Sequence, residues 1–121
     1  MDKYLSEEKS IYIQISEMIE TDILRGILME EERVPSTNEL AKIYAINPAT
    51  AAKGINILVD SGIVYKKRGI GMFVSTGAKE QILSRRKEEF FDKYIRNLLQ
   101  EAASLGLDKN QIIEMINRSE E

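Results

Sequence analysis

The side chains with chemistry to offer are hydroxyls, amides and cations: Ser36, Thr37, Asn38, Asn47, Thr50 and Lys53, then Lys66, Lys67 and Arg68. Groups of these types donate hydrogen bonds and place positive charge, which is what an anion such as a phosphate needs. Nucleophilic chemistry has little to work with. The 121 residues include neither cysteine nor histidine, which excludes disulfides, thiolate zinc sites and His-based acid–base catalysis. No pair among the 20 acidic residues stands out as catalytic, and no residue set calls for a metal or a cofactor.

The net charge is −3, but it is unevenly spread. Residues 1–32 carry nine acids against Lys3, Lys9 and Arg25. Residues 33–77 carry Arg33, Lys42, Lys53, Lys66, Lys67 and Arg68 against only Glu39 and Asp60, a local balance of +4. A basic face within an acidic chain can still meet phosphates, because contact depends on local charge and not on the sum.

Elements must position these groups. "SIYIQISEMIETDILRG" alternates at Ile11, Ile13 and Ile15 as a strand would, yet Ile11, Ile15, Met18/Ile19 and Ile23 recur at helical spacing. Length favours a helix ending near Gly26. A charged loop, "MEEERV", follows. Ser36 with Glu39 three residues on is a capping box opening a short helix with Leu40, Ala41, Ile43 and Tyr44 on its apolar side. Asn47 caps the next helix, with Pro48 at its first position. Ile55, Leu58 and Val59 make its apolar stripe, and "DSG" ends it. Two helices so closely joined form a helix-turn-helix. "IVYKK" and "MFVS" flank a glycine-bearing turn at Arg68–Gly71 and predict a β-hairpin. A hairpin directly after a helix-turn-helix is a winged helix.

From Ala78 there is no breaker until Gly106. Phe91, Ile95, Leu98, Ala102 and Leu105 form a heptad-like seam. Asp108 and Gln111 make a second capping box before a last helix with Ile112, Ile113 and Ile116 on its apolar face. The expected organisation is therefore a mostly α (α+β) chain: a winged helix-turn-helix over residues 1–77 and a two-helix unit over 78–121. Phe90, Phe91 and Tyr94 could also line a ligand pocket, but two helices cannot enclose roughly 300 Å³ within one chain. Dimerisation is the expectation, through Phe91, Tyr94, Ile95, Leu98, Ala102, Leu105, Ile112 and Ile116. No apolar run reaches the roughly 20 residues of a membrane helix. The N-terminus lacks a signal-type apolar core, so a cytoplasmic protein without membrane association is expected.

Four stretches in order, "IYIQI", "VPSTNELA", "NPATAAKGINILVDSGIV" and "RGIGMFV", resemble the N-terminal winged helix of GntR-type bacterial transcription regulators over residues 10–75. Asn47-Pro48 followed by Thr50, with so short a C-terminal unit, looks like the YtrA-type subfamily. The resemblance implies a homodimeric regulator of a double-stranded DNA operator, usually a repressor. Subfamily members commonly control their own operon and a neighbouring ABC transporter. Asn38 stands where the family usually has arginine, and Ile70 and Met72 replace a basic residue and a threonine of the wing. A winged helix serving protein contact or RNA binding is the alternative.

On the helix-turn-helix reading, the second helix enters the major groove with its N-terminal turns. Small residues there let the backbone approach the bases: Ala49 and Ala52 face the groove, while Ala51 and Gly54 pack on the preceding helix. Thr50 meets a phosphate or a thymine methyl, and N–H groups of the first turn attract a phosphate. Lys53, the one cation of this helix, contacts phosphate or base. Asn47 and Pro48 set its start and are counted with the DNA-binding residues. Ser36, Thr37 and Asn38 approach the backbone, and Lys67, Arg68, Gly69 and Gly71 lay the wing along the minor groove. The bland alternatives are caps and solvated surface charges.

Overall fold

The computed structural model describes residues 9–120. The N-terminal stretch read above as lacking a signal-type core falls largely in residues 1–8, outside the described residues. Contacts divide the chain after Leu83 into two compact units.

The first unit is built on α1 (Ile11–Leu24), α2 (Thr37–Tyr44) and α3 (Pro48–Asp60), followed by β1 (Val64–Lys67) and β2 (Gly71–Val74). Helical spacing prevails in α1. Ile15, Ile19 and Ile23, four apart, are all buried, whereas Ile11 and Ile13 are exposed and contribute little to the core. In α2 the capping box is formed in both directions: Ser36 Oγ accepts from the Glu39 N–H and a Glu39 carboxylate oxygen accepts from the Ser36 N–H, each at 3.1 Å. Leu40, Ala41 and Tyr44 of this helix are buried, but Ile43, expected on the same face, is 52% exposed. Ala45 takes a left-handed φ of 51° and stops the helix, leaving only a short turn before α3. Ile55 and Leu58 carry α3 into the core, where they join Val34, Ile63, Val64 and Val74.

β1 and β2 pair antiparallel, with Tyr65 opposite Phe73 and Lys67 opposite Gly71. Gly71 is thus the first residue of β2, and the turn itself is Arg68–Ile70. The sheet has an addition where the charged segment "MEEERV" predicts a loop. Residues 31–34 run along the free edge of β2: the Glu31 N–H donates to Val74 O at 2.8 Å, the Val74 N–H to Glu32 O at 3.0 Å, and the Val34 N–H to Met72 O at 2.8 Å. Arg33 and Phe73 form an antiparallel bridge. Directly opposed residues share a face, so Glu31, Arg33, Phe73, Tyr65 and Lys67 lie on the outer side. Val34, Val64 and Val74 face the core.

The first unit continues into α4 (Ala78–Phe90), past the boundary at residue 77, because Ala78 and Ile82 are buried in its core. Gln81 Nε2 also donates to Ser61 O at 2.7 Å.

The second unit, from Ser84, contains a π-helical turn (Phe91–Ile95), then α5 (Arg96–Ser104) and α6 (Lys109–Arg118). The capping box at Asp108 and Gln111 is formed, both hydrogen bonds measuring 2.8 Å. Among the described residues no helix is long and apolar enough to cross a membrane.

Candidate nucleic-acid interface

The outward stripe of α3 is exposed at Ala49, Lys53 and Asn56 and half-exposed at Ala52. Only one side chain in its first two turns is long. The inward side explains the rest of the small residues. Ala51 and Gly54 are buried, and the neighbour of Gly54 is α1, not α2 as the sequence suggested. A Cβ added at Gly54 would lie 2.8 Å from the Tyr12 carbonyl oxygen and 3.0 Å from both Cβ and Cγ2 of Ile15. Real Cβ atoms do not come so close, so glycine is what allows α1 and α3 to approach.

That contact has a second effect. It brings the Tyr12 ring beside Lys53, whose Nζ stands 4.1 Å from the ring centroid. An ammonium over a tyrosine face is attracted by the ring quadrupole. Lys53 is therefore exposed but aimed. Its partner lies some forty residues earlier in the chain, and no local signal announces it.

The first turn of α3 corrects one expectation. Pro48 has no N–H, the Ala49 N–H donates to Asn47 Oδ1 at 2.8 Å, and the Thr50 and Ala51 N–H groups donate to Asn47 O at 3.0 and 3.1 Å. The asparagine cap and the proline leave no N–H of this turn over for a phosphate. The half-buried Thr50 keeps its side-chain hydroxyl, and Asn47 and Pro48 act as the stop and start of the backbone.

At the opening of α2, Ser36 is half-buried and committed to its capping box, Thr37 is half-buried and Asn38 is exposed. Hydrogen bonds from Ser36, its backbone N–H first, hold the Glu39 carboxyl below its usual range, with Arg33 adding to the effect. Arg33 reaches this corner from the sheet edge; its Nη2 lies 3.8 Å from Glu39 Oε1. In the sequence Arg33 is one basic residue among the six of residues 33–77, and nothing local marks it, since its placement depends on pairing with β2.

In the wing, Arg68, Gly69 and Ile70 are exposed at the turn, Gly69 with φ +77°. Lys67 is exposed too, but its ammonium leans back over the sheet, 4.7 Å from the Phe73 ring centroid. Next to it, Glu31 accepts hydrogen bonds from Thr76 Oγ1 and from the Tyr65 hydroxyl. These two bonds, Thr76's the stronger influence, lower the Glu31 carboxyl pKa, while the bond to Glu31 raises that of the Tyr65 phenol. Glu30 accepts from the Gly77 N–H at 3.0 Å, so the acidic loop ties down the end of the sheet. No cluster of three acidic or other metal-binding side chains occurs among the described residues.

In the second unit, Leu98, Ala102, Leu105, Ile112 and Ile116 come together along an open apolar groove of about 400 Å³. Two helices thus frame a larger hollow than expected, though they do not enclose it. Ala102 is buried on its floor, while Leu98, Leu105 and Ile116 are 42%, 65% and 61% exposed. The π turn interrupts the seam. The Arg96 N–H bonds to Phe91 O, five residues back, which inserts one residue into the helical repeat and rotates Phe91 off the line of Leu98. Phe91 instead meets the Arg96 guanidinium at 5.3 Å, and Tyr94 packs on Phe90 at 5.5 Å. Ile95 is half-buried.

Comparison with known proteins places this geometry among relatives. The profile of the gntR family of bacterial regulatory proteins matches residues 11–74. The HTH-type transcriptional repressor YtrA of Bacillus subtilis is 30% identical over 106 residues, spanning 88% of this chain and 81% of the relative. A crystal structure of a putative transcriptional regulator of the GntR family from Bacteroides thetaiotaomicron superposes with a TM-score of 0.71 at 38% identity, covering 88% of this chain and 93% of that one. A crystal structure of AraR(DBD) in complex with operator ORX1 superposes with a TM-score of 0.53 at 32% identity, over 62% of this chain and 92% of that one.

Proposed function

The chain belongs to the gntR family of bacterial regulatory proteins, and from that premise we propose that it is a sequence-specific DNA-binding transcriptional regulator that works as a homodimer. The observation that carries this reading is the outward stripe of α3: small at Ala49 and Ala52, with one long cation, Lys53, held over Tyr12. Such a helix can sink its backbone into a major groove about 12 Å wide. Ser36, Thr37, Asn38 and Thr50 supply neutral donors around it. Lys67, Arg68, Gly69 and Gly71 form a wing that follows the minor groove.

Dimerisation is assigned to the second unit. Its groove is apolar and open in the single chain, and a two-fold mate would cover Leu98, Leu105 and Ile116 twice over. A dimer carries two recognition helices, matched to half-sites about one helical turn apart. Similarity to the HTH-type transcriptional repressor YtrA supports repression as the mode of action; the proposed setting is the cytoplasm, and the proposed targets are its own operon and a neighbouring ABC-transporter gene set. The test is retardation of the protein's own promoter fragment across a salt series. Steep loss of binding with salt, and competition by that fragment over unrelated duplex, is the expected result. Salt-insensitive or absent retardation would overturn the reading in favour of a protein- or RNA-binding winged helix.

A further inference from the structure

Arg33 stands at the junction of three elements. Its backbone is bridged to Phe73 of β2, its stem crosses the wing strand at Gly71, and its guanidinium ends beside Glu39 in the first turn of α2. The crossing at Gly71 is close. A Cβ at that position would lie 2.9 Å from Arg33 Nε and 3.6 Å from its Cδ. Gly71 also has φ +147°, a conformation that disfavours side chains. The glycine is therefore a bed for the arginine, and the arm is steered along one course from the sheet edge toward α2.

At the end of that course the guanidinium is under-used. Its side chain is 56% exposed. Its carboxylate neighbour stands at 3.8 Å, beyond hydrogen-bond distance, and that same oxygen already accepts from the Ser36 N–H. A planar fork of five donors held at a fixed point, exposed and only loosely paired, suits an incoming acceptor with two oxygens in a plane.

We propose that Arg33 is a DNA-contact residue that grips one backbone phosphate between the wing and the start of α2. This rests on the DNA-binding reading above, in which the wing lies along a minor groove and α2 crosses the backbone beside the major groove. The phosphate strand separating those grooves passes the point where wing and α2 meet, and Arg33 is the cation tethered to both. Without DNA the fork has only the loose 3.8 Å contact with Glu39, and a phosphate offers it two oxygens at full hydrogen-bond distance.

The experiment is a salt titration of binding to a random-sequence duplex pool and to the best-binding duplex recovered from it, using the full chain. Arg33→Gln should flatten the log–log salt slope by about 0.9, the value of one phosphate, and weaken both duplexes by the same factor, since a phosphate carries no sequence information. Arg33→Lys should keep the slope. Glu39→Gln preserves the capping box, and Arg33→Gln should flatten the slope equally in its presence. An unchanged slope in Arg33→Gln overturns the assignment. So does loss of the effect in the Glu39→Gln background, which would mean that Arg33 acts through Glu39. If the parent protein shows no salt-dependent binding to any duplex, the DNA reading itself falls and this assignment with it.

Discussion

Replacing Gly54 with alanine sets two magnitudes of opposite sign against each other. Alanine in the middle of a helix is favoured over glycine by roughly 1 kcal/mol, through backbone entropy alone. At this position the new methyl would sit 2.8 Å from the Tyr12 carbonyl oxygen and 3.0 Å from two atoms of Ile15. The first of these belongs to the α1 backbone and the others to a fully buried side chain, so relief requires α1 to move. Overpacking of this kind costs about 1–3 kcal/mol. The packing term outweighs propensity, and a net loss of about 1 kcal/mol is expected. For a domain of this size that is a fall of roughly 4–8 °C in melting temperature. Thermal denaturation followed by circular dichroism reads it. The displacement of α1 also carries the Tyr12 ring away from Lys53, so DNA affinity should fall in parallel. A variant that melts above the parent would show that helix propensity wins and that α1 and α3 are not in the tight contact described.

Lys53→Ala should lower operator affinity by about 1–3 kcal/mol if the lysine reads a base, while stability drops by no more than the roughly 0.5–1 kcal/mol of an exposed cation–π pair; unchanged binding in a DNA titration would remove Lys53 from the interface. Leu98→Asp puts a charge into the proposed dimer seam twice, and sedimentation should find a monomer whose binding to a two-half-site operator has collapsed, with the winged helix still folded; a variant that stays dimeric would assign the groove another purpose. Glu31→Gln tests the Thr76–Tyr65 contact through pH. The folded-state carboxyl pKa lies below its ordinary value, so its stabilisation is present above the ordinary glutamate range and is lost as pH falls through the lowered folded value. Urea midpoints of parent and variant should differ at neutral pH and converge under acid, and a gap that ignores pH would refute the assignment.

What was legible in the sequence is what local chemistry decides. Ser36 with Glu39, Asn47 with Pro48, and Asp108 with Gln111 each specify a helix start within four residues, and all three appear as read. The hairpin was legible for the same reason. The strand-like run 31–34 was not, because Glu31 and Glu32 have poor β propensity and the run pairs only through the distant edge of β2. Nor was the π turn: nothing in Phe91–Ile95 breaks a helix, and the structure offers no physical cause for it. Candidate site residues divide along the same line. Lys53, Arg68 and the small residues of α3 could be named from type and spacing. The ring beneath Lys53 and the bed beneath Arg33 could not, since each is a contact between segments far apart in the chain.

Those two contacts share a design. In each, a glycine on one element lets a second element come close, and the approach fixes the aim of a cation: Gly54 brings Tyr12 to Lys53, and Gly71 seats Arg33. A long side chain that wandered would lose rotamer entropy on meeting a phosphate or a base, at up to about 2 kcal/mol for lysine or arginine. Part of that ordering is already done in the folded chain. On the proposed DNA-binding reading, a surface with few cations can then bind through the aim of each one, and the smooth start of α3 has a reason on both sides: no bulk outward, where that reading has a groove entered, and none inward, where α1 closes on Gly54 and brings Tyr12 to Lys53.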